Sequence, residues 1–311
     1  MRYLNKIIDQ IRKQTENEEA DNFVGIKDQE FIQYINDAQH QLQSAIIQQH
    51  PRAFIKEVVI NSVEDQEKYT LPSDCFLNNK VHNVEYSATG NEEDYYSLEE
   101  DTLKRRTSGV TGSPSRYIRL AGQILLSPEP PNSTGKIRIN YVQGCRELDL
   151  RVGKVASDAT IDSSSSFTIS LNAEFSNISS LNEHDYLCIV NNDGTSIVKN
   201  IPFTTSTNTT ITCSAHTVDT DEGESNSSIV ANSWVVGGKD TTTHSDLPRS
   251  VERYLIAYCA WKILKRDSSV DSQEAVQELQ MMLQEIVESY AMISDDVQYI
   301  PQLNSWQDWS L

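Results

Sequence analysis

Four side chains could, by type and spacing, hold a metal ion: His184-x-x-x-Cys188 and Cys213-x-x-His216. Imidazole nitrogen and thiolate sulfur in a set of four match the tetrahedral preference of zinc. Each pair would have to converge from a neighbouring strand. Cys188 and Cys213 fit equally well as small apolar residues inside buried strands. A second candidate, the acidic run Asp219-x-Asp221-Glu222-Gly223-Glu224, offers carboxylates to calcium, but Val230 stands where a closing glutamate would complete the loop, so a solvated acidic loop is expected. The six histidines are scattered, and none lies beside a nucleophile and a carboxylate. There is no Gly-rich phosphate loop, Gly-x-Ser-x-Gly, His-Glu-x-x-His or Cys-x-x-Cys. No catalytic residue, bound metal or cofactor is therefore assigned, and a non-enzymatic role is expected.

The five cysteines (Cys75, Cys145, Cys188, Cys213 and Cys259) are far apart and odd in number, which favours reduced thiols over a disulfide scaffold. The net charge of −19 excludes a strong nonspecific grip on nucleic acid, because counterion release needs clustered Lys and Arg. Lys104-Arg105-Arg106 is the one compact basic triplet, and it fits a solvated loop. No run approaches the ~20 apolar residues of a membrane span, and Met1 to Arg12 lacks the apolar core of a secretory signal. A soluble protein made in a cytosol is expected.

The elements follow from periodicity. Leu4, Ile7, Ile8 and Ile11 form one helical stripe. Asp28 is a plausible N-cap for a second helix, whose Phe31, Ile35, Ala38, Leu42, Ala45 and Ile46 share a face before Pro51. From Phe54 the period becomes two. Strands are expected around Val58–Ile60, Lys68–Leu71, Tyr117–Leu120, Gln123–Ser127 and Lys136–Val142, the last three as an antiparallel meander. Ile137, Ile139 and Tyr141 should face one side and Arg138 and Asn140 the other.

Composition shifts at Arg151. As far as His244 the chain is rich in Ser, Thr and Asn, with short β runs at 167–171, 186–190, 196–201, 209–213 and 228–236, and a turn at Asn192-Asp193-Gly194. Leu247-Pro248 then opens two helices, one carrying Val251, Leu255, Tyr258 and Lys262, the next Ala275, Leu279, Leu283, Ile286 and Tyr290. Neither terminal stripe can be buried unless the two ends pack together. The expected fold is thus α+β: a helical bundle from both chain ends with a small antiparallel β-meander, plus an inserted all-β barrel or sandwich module. The divisions are 1–150, 151–244 (the insert), 245–297 and a tail, 298–311. In that tail Tyr299, Ile300, Leu303, Trp306, Trp309 and Leu311 are too many large apolar groups for so short a stretch to bury locally. Trp and Tyr anchor interfaces, and the tail is expected to dock into a partner.

With these elements in place, the chain resembles the head-to-tail adaptor (connector, or tail tubular) proteins of short-tailed bacteriophages. The resemblance is carried by Asn36-Asp37-Ala38-Gln39, Tyr69-Thr70-Leu71-Pro72-Ser73-Asp74, Gly112-Ser113-Pro114-Ser115-Arg116-Tyr117, Ile124-Leu125-Leu126-Ser127-Pro128-Glu129-Pro130, the strand ending at Tyr141, and Leu247-Pro248. It covers about 1–150 and 245–311; the insert departs from it. It implies a virion protein at the head-tail junction, assembled in the bacterial host cytoplasm, that forms a ring, commonly of twelve copies. Such a ring would sit beneath the portal protein, leave a channel for DNA during genome ejection without binding it specifically, and touch tail nozzle or tail fibre proteins, but no membrane. It also implies a C-terminal extension that engages the portal, a role residues 299–311 match in position. The alternative expectation is a receptor- or carbohydrate-binding tail component built on the insert.

Overall fold

The computed structural model describes residues 3–15, 27–105, 109–178, 181, 184–218, 228–266 and 272–299, with the backbone alone for Arg105, Arg266, Ser272, Gln273 and 291–299. The chain is mixed α+β. Helices α1 (Leu4–Gln14) and α2 (Asp28–Gln49) precede strands β1 (Ile55–Asn61), β2 (Lys68–Thr70), β3 (Val81–Ser87), β4 (Tyr96–Ser97), β5 (Glu99–Glu100), β6 (Arg116–Leu120), β7 (Gln123–Ser127), β8 (Lys136–Val142) and β9 (Glu147–Leu148). There follow β10 (Arg151–Lys154), β11 (Ala159–Thr160), β12 (Phe167–Ser170), β13 (Tyr186–Val190), β14 (Ser196–Ser206), β15 (Thr210–Cys213), β16 (Ser228–Ile229), β17 (Trp234–Gly237) and β18 (Thr241–Thr242). Helices α3 (Glu252–Arg266) and α4 (Ser272–Tyr299) close the order.

Leu4, Ile7, Ile8 and Ile11 of α1 are all buried. Their apolar cluster also takes Phe31, Ile35, Leu42 and Ile46 of α2, Leu255, Tyr258 and Cys259 of α3, and Leu279, Ile286 and Val287 of α4. An isolated helix of α1's length is marginal in water. Burial of four such side chains at roughly 1.5–3 kcal/mol each outweighs that cost, so packing rather than propensity makes α1. Asp28 is not the N-cap of α2: Lys27 holds that position, without a side-chain bond. Asp28 lies in the first turn, where the helix dipole favours a carboxylate, and it pairs with Arg12 of α1.

The expected three-strand meander does not form. β6 and β7 are an antiparallel hairpin within the sheet β2-β7-β6-β5, whereas β8 leaves for the sheet β1-β8-β3-β4. The reason lies in the neighbours that β8 finds on both sides of that sheet, not in its alternation. Ile137, Ile139 and Tyr141 are buried, and β8 is flanked on both sides, by β1 and β3. One apolar cluster draws on both sheets, with Val84, Tyr86, Ile137, Ile139 and Tyr141 from one and Tyr69, Tyr117, Ile124 and Leu126 from the other. On the outward side, Arg138 contacts Glu85 at 3.2 Å, Glu57 at 3.5 Å and Glu92, with Tyr95 stacked 3.8 Å from its guanidinium carbon.

Between residues 151 and 237 the sheet β10-β17-β13-β14-β15-β12 curls into a half-barrel. Its edges are tied by the Val155–Leu171 bridge, with Ala156 N–H donating to Ser170 O (2.8 Å) and Asn172 N–H to Lys154 O (2.8 Å). Its interior is an apolar cluster of its own, including Val152, Ile169, Leu187, Ile189, Val198, Ile211 and Val235. The run expected at 228–236 is divided into β16 and β17, which join different sheets.

Candidate functional site

Three polar residues on one stripe of α2, Asn36, Gln39 and Gln43, repeat at steps of three and four and so point the same way. Two of them are among the most buried side chains of the chain: Gln39 is 0% and Gln43 1% exposed. Their partner is the backbone that leaves β8. Asn36 accepts from Leu148 N–H (2.9 Å) and donates to Leu148 O (3.1 Å). Gln39 donates to Arg146 O (2.8 Å) and accepts from the Ser245 hydroxyl (3.1 Å). Gln43 donates to Gln143 O (2.7 Å) and accepts from Cys145 N–H (2.9 Å). Side-chain amides thus replace the strand that residues 143–148 lack on that side, satisfying backbone groups that would otherwise be costly to bury.

The same short segment carries the joint to the half-barrel. β9 pairs in parallel with β18. Arg146 forks onto Asp246 (2.6 Å to Oδ1) and donates to Ser196 Oγ (2.6 Å) and Gly194 O (3.3 Å) at the β13–β14 turn. Burial alone would disfavour the Arg146 charge; the Asp246 carboxylate outweighs it and the net shift is upward. Arg151 is stacked between Tyr3 and Trp234, 4.3 Å from each ring centre. Asp74, the last residue of the Tyr69–Asp74 motif, accepts from Tyr141 Oη (2.7 Å), Lys56 Nζ (2.9 Å) and Gln143 Nε2 (3.0 Å). Its burial pushes the carboxyl upward, but the Lys56 and Tyr141 hydrogen bonds win and its pKa is lowered.

An open groove of about 590 Å³ runs between α2 and residues 147–150, with Gly238 and Lys239 on the far wall. Two imidazole–carboxylate pairs cross its lining, His40–Glu147 at 2.8 Å and His184–Asp149 at 3.1 Å. The hydrogen bond that His40 donates to Glu147 raises the His40 pKa against the effect of burial. His184 owes its place to Gly237, where a Cβ would lie 2.4 Å from His184 Cδ2.

The four zinc-type residues are not brought together. His184 faces Asp149, and the Cys188 thiol lies 3.5 Å from Gly238 O. Cys213 is in the half-barrel's apolar cluster, and His216 is tied through its backbone to Asp162 O. Burial raises both thiols, Cys213 to about 12. Among the described residues, no three His, Cys, Asp or Glu side chains are placed to share a metal ion. The acidic run Asp219–Glu224 lies outside the described residues, as do Arg106 and the docking candidates Ile300, Leu303, Trp306, Trp309 and Leu311; of Tyr299 only the backbone, at the end of α4, is described. Among the described residues, no helix is long and apolar enough to cross a membrane.

The polar joints were not found by sequence reasoning as joints. Their signal was present, since Asn36 and Gln39 belong to a motif already noted and Gln43 continues its spacing. What the motif lacks is any indication that its partner is a backbone 100 or more residues away.

These joints lie where the comparisons fall. The family model described as SU10 adaptor protein matches residues 4–153, the part of the chain that holds α1, α2 and the two sheets. The match begins with α1 and ends within β10, so it takes in the α2 ladder, both sheets and Asp74, and stops at the start of the half-barrel. No curated protein matches the chain.

Proposed function

We propose that the chain is a non-enzymatic structural virion protein of the head-tail junction, an adaptor that forms a ring between the capsid portal and the tail. The observation that carries this reading is the adaptor-family match over residues 4–153. The helices of both chain ends would act as one bundle and, with the two-sheet unit, form the ring body. The half-barrel, residues 151–244, would be an insertion displayed toward tail nozzle or fibre proteins. The segment 245–297 completes the body, and the tail 298–311 docks on the portal. Twelve copies is the copy number the resemblance implies. The net charge of −19 per copy suits a channel that DNA crosses without sticking, because like charge keeps phosphates off the wall.

The test is to mix the purified chain with its portal and image the product by electron microscopy. Annular particles capped by the adaptor are expected; a monomer that never binds the portal would defeat the reading.

A second reading, receptor or carbohydrate binding by the half-barrel, is favoured by one feature. Phe175, 45% exposed, meets Trp234 edge-on at 6.1 Å, with Lys154 over both rings. A glycan array probed with the full chain discriminates: specific binding that Phe175→Ala removes would support it.

A further inference from the structure

Among the described residues, the strands at sheet edges are short or tied, with one exception. β2 has three residues, and β4 and β5 have two each. The edges of the half-barrel are joined by the Val155–Leu171 bridge. β1 has seven residues, stands at the end of the order β1-β8-β3-β4, and pairs with β8 alone. Its register runs without a shift from Ile55–Val142 to Asn61–Lys136, and it holds no proline. A short strand, a proline, a bulge, a charge or a covering segment is how an edge is kept from pairing with another chain. β1 has only the charges, and both are engaged within the copy, Lys56 with Asp74 at 2.9 Å and Glu57 with Arg138 at 3.5 Å. Val58, Val59 and Ile60 follow them. The edge is unguarded.

The ladder fixes where each backbone group points. Gln143 N–H donates to Phe54 O (2.8 Å) before the strand, and Ser62 N–H donates to Gly135 O (2.9 Å) after it. With no shift between, the even-numbered residues bond to β8, and Ile55, Glu57, Val59 and Asn61 turn their N–H and C=O outward. Those outward groups have no partner among the described residues. Donors and acceptors at this spacing are complementary to the backbone of another extended chain. The side chains say which chain. Pairing β1 antiparallel with β1 of a second copy, on a two-fold axis at Val59, sets Val58 opposite Ile60, Val59 opposite Val59, and Glu57 opposite Asn61. It also sets Ile55, 38% exposed, opposite Val63, 44% exposed, so that each covers an apolar group its own copy leaves in water. Lys56 falls opposite Ser62, and no like charges face each other. Moving the axis one residue either way sets Lys56 against Ile60 or Glu57 against Val63 and loses these matches.

We propose that the chain on its own pairs edge to edge with a second copy through β1, antiparallel, with the two-fold axis at Val59. The contact is isologous, each copy offering the same strand, and it makes one sheet continuous across the axis. Two-fold pairing does not propagate around a ring. This contact is therefore not the ring's, and the proposal does not rest on the ring reading.

The experiment is analytical ultracentrifugation of the full chain without the portal. Wild type is expected to sediment as a dimer that dissociates on dilution. Val59→Lys opposes two ammonium groups at the axis and should raise the dissociation constant about tenfold or more. Within one copy that lysine joins a surface where Glu57, Glu85 and Glu92 surround Arg138, so the variant should still melt cooperatively. Val59→Glu should weaken pairing likewise, and an equal mixture of the two variants should restore it, because opposite charges then meet. Val59→Cys should form a disulfide between position 59 of two copies on oxidation, the chain's own five cysteines being buried; this variant decides the matter where a charged one fails to fold. A wild-type chain that is monomeric at every concentration overturns the proposal. So do undiminished pairing of both charged variants, a mixture no tighter than its components, or the absence of the 59–59 disulfide. β1 amides that gain hydrogen-exchange protection only when the portal is added give the edge to the portal, overturning the proposal and leaving the ring reading in place.

Discussion

Asp74 shows how a single carboxylate joins distant parts of this chain. It accepts hydrogen bonds from side chains on β1, β8 and the segment after β8. Asp74→Ala leaves the buried Tyr141 hydroxyl without that partner and should cost about 1–3 kcal/mol in urea unfolding. Because the folded-state pKa is lowered, the stabilisation is fully present above the ordinary carboxylate value, near pH ~4, and is lost as pH falls through the folded pKa. The difference between wild type and Asp74→Ala should therefore narrow in unfolding experiments carried from pH 7 toward pH 3. Gly237 gives a second test at this scale. A methyl group there would meet His184 at 2.4 Å, so Gly237→Ala should displace the imidazole from Asp149 and destabilise by about 1–3 kcal/mol. An NMR titration of His184 insensitive to this change would show that the pair does not depend on the glycine.

At the scale of elements, α2 does two things at once: its apolar stripe enters the helical cluster, and its amide stripe holds residues 143–148. Asn36→Ala should release the Leu148 amide, seen as faster hydrogen exchange at that residue with little change in the half-barrel. Gln39→Leu removes bonds to Arg146 O and Ser245 at a fully buried site, and a loss of about 1–3 kcal/mol is expected in chemical denaturation. The apolar stripe was legible because helical periodicity repeats along contiguous sequence: Phe31, Ile35, Ala38, Leu42 and Ile46 identify themselves. The amide stripe was visible as a motif and opaque as a structure, since its partners come from residues 143 to 245. Strand existence was legible in β7, β8 and β13 for the same local reason. Strand partnership was not, and the supposed meander failed because a period of two says which face a residue takes, never which neighbour it pairs with.

At the scale of the whole molecule, charge and extremities decide what can be tested. With a net charge of −19, the chain should leave the mobility of duplex DNA unchanged at about 100 mM salt, because there are too few clustered cations to displace condensed counterions. A shifted band would contradict a channel that lets DNA pass. Removal of residues 299–311 should abolish portal docking and leave the melting profile intact. Undiminished docking would move the contact elsewhere in the chain.

The sequence by itself determined the helical stripes, the alternation of β8, the compositional change at Arg151 and the acidity, all of them properties of neighbouring residues or of sums over the chain. It also carried the motifs through which the chain resembles phage adaptors. Only the tertiary structure decided that β7 and β8 part into two sheets, that His184, Cys188, Cys213 and His216 do not converge, and that Asn36, Gln39 and Asp74 are joints between segments remote in sequence. The reason is physical: pairing of distant segments is set by which buried polar groups and apolar faces can be satisfied simultaneously in space, and no local pattern encodes that choice.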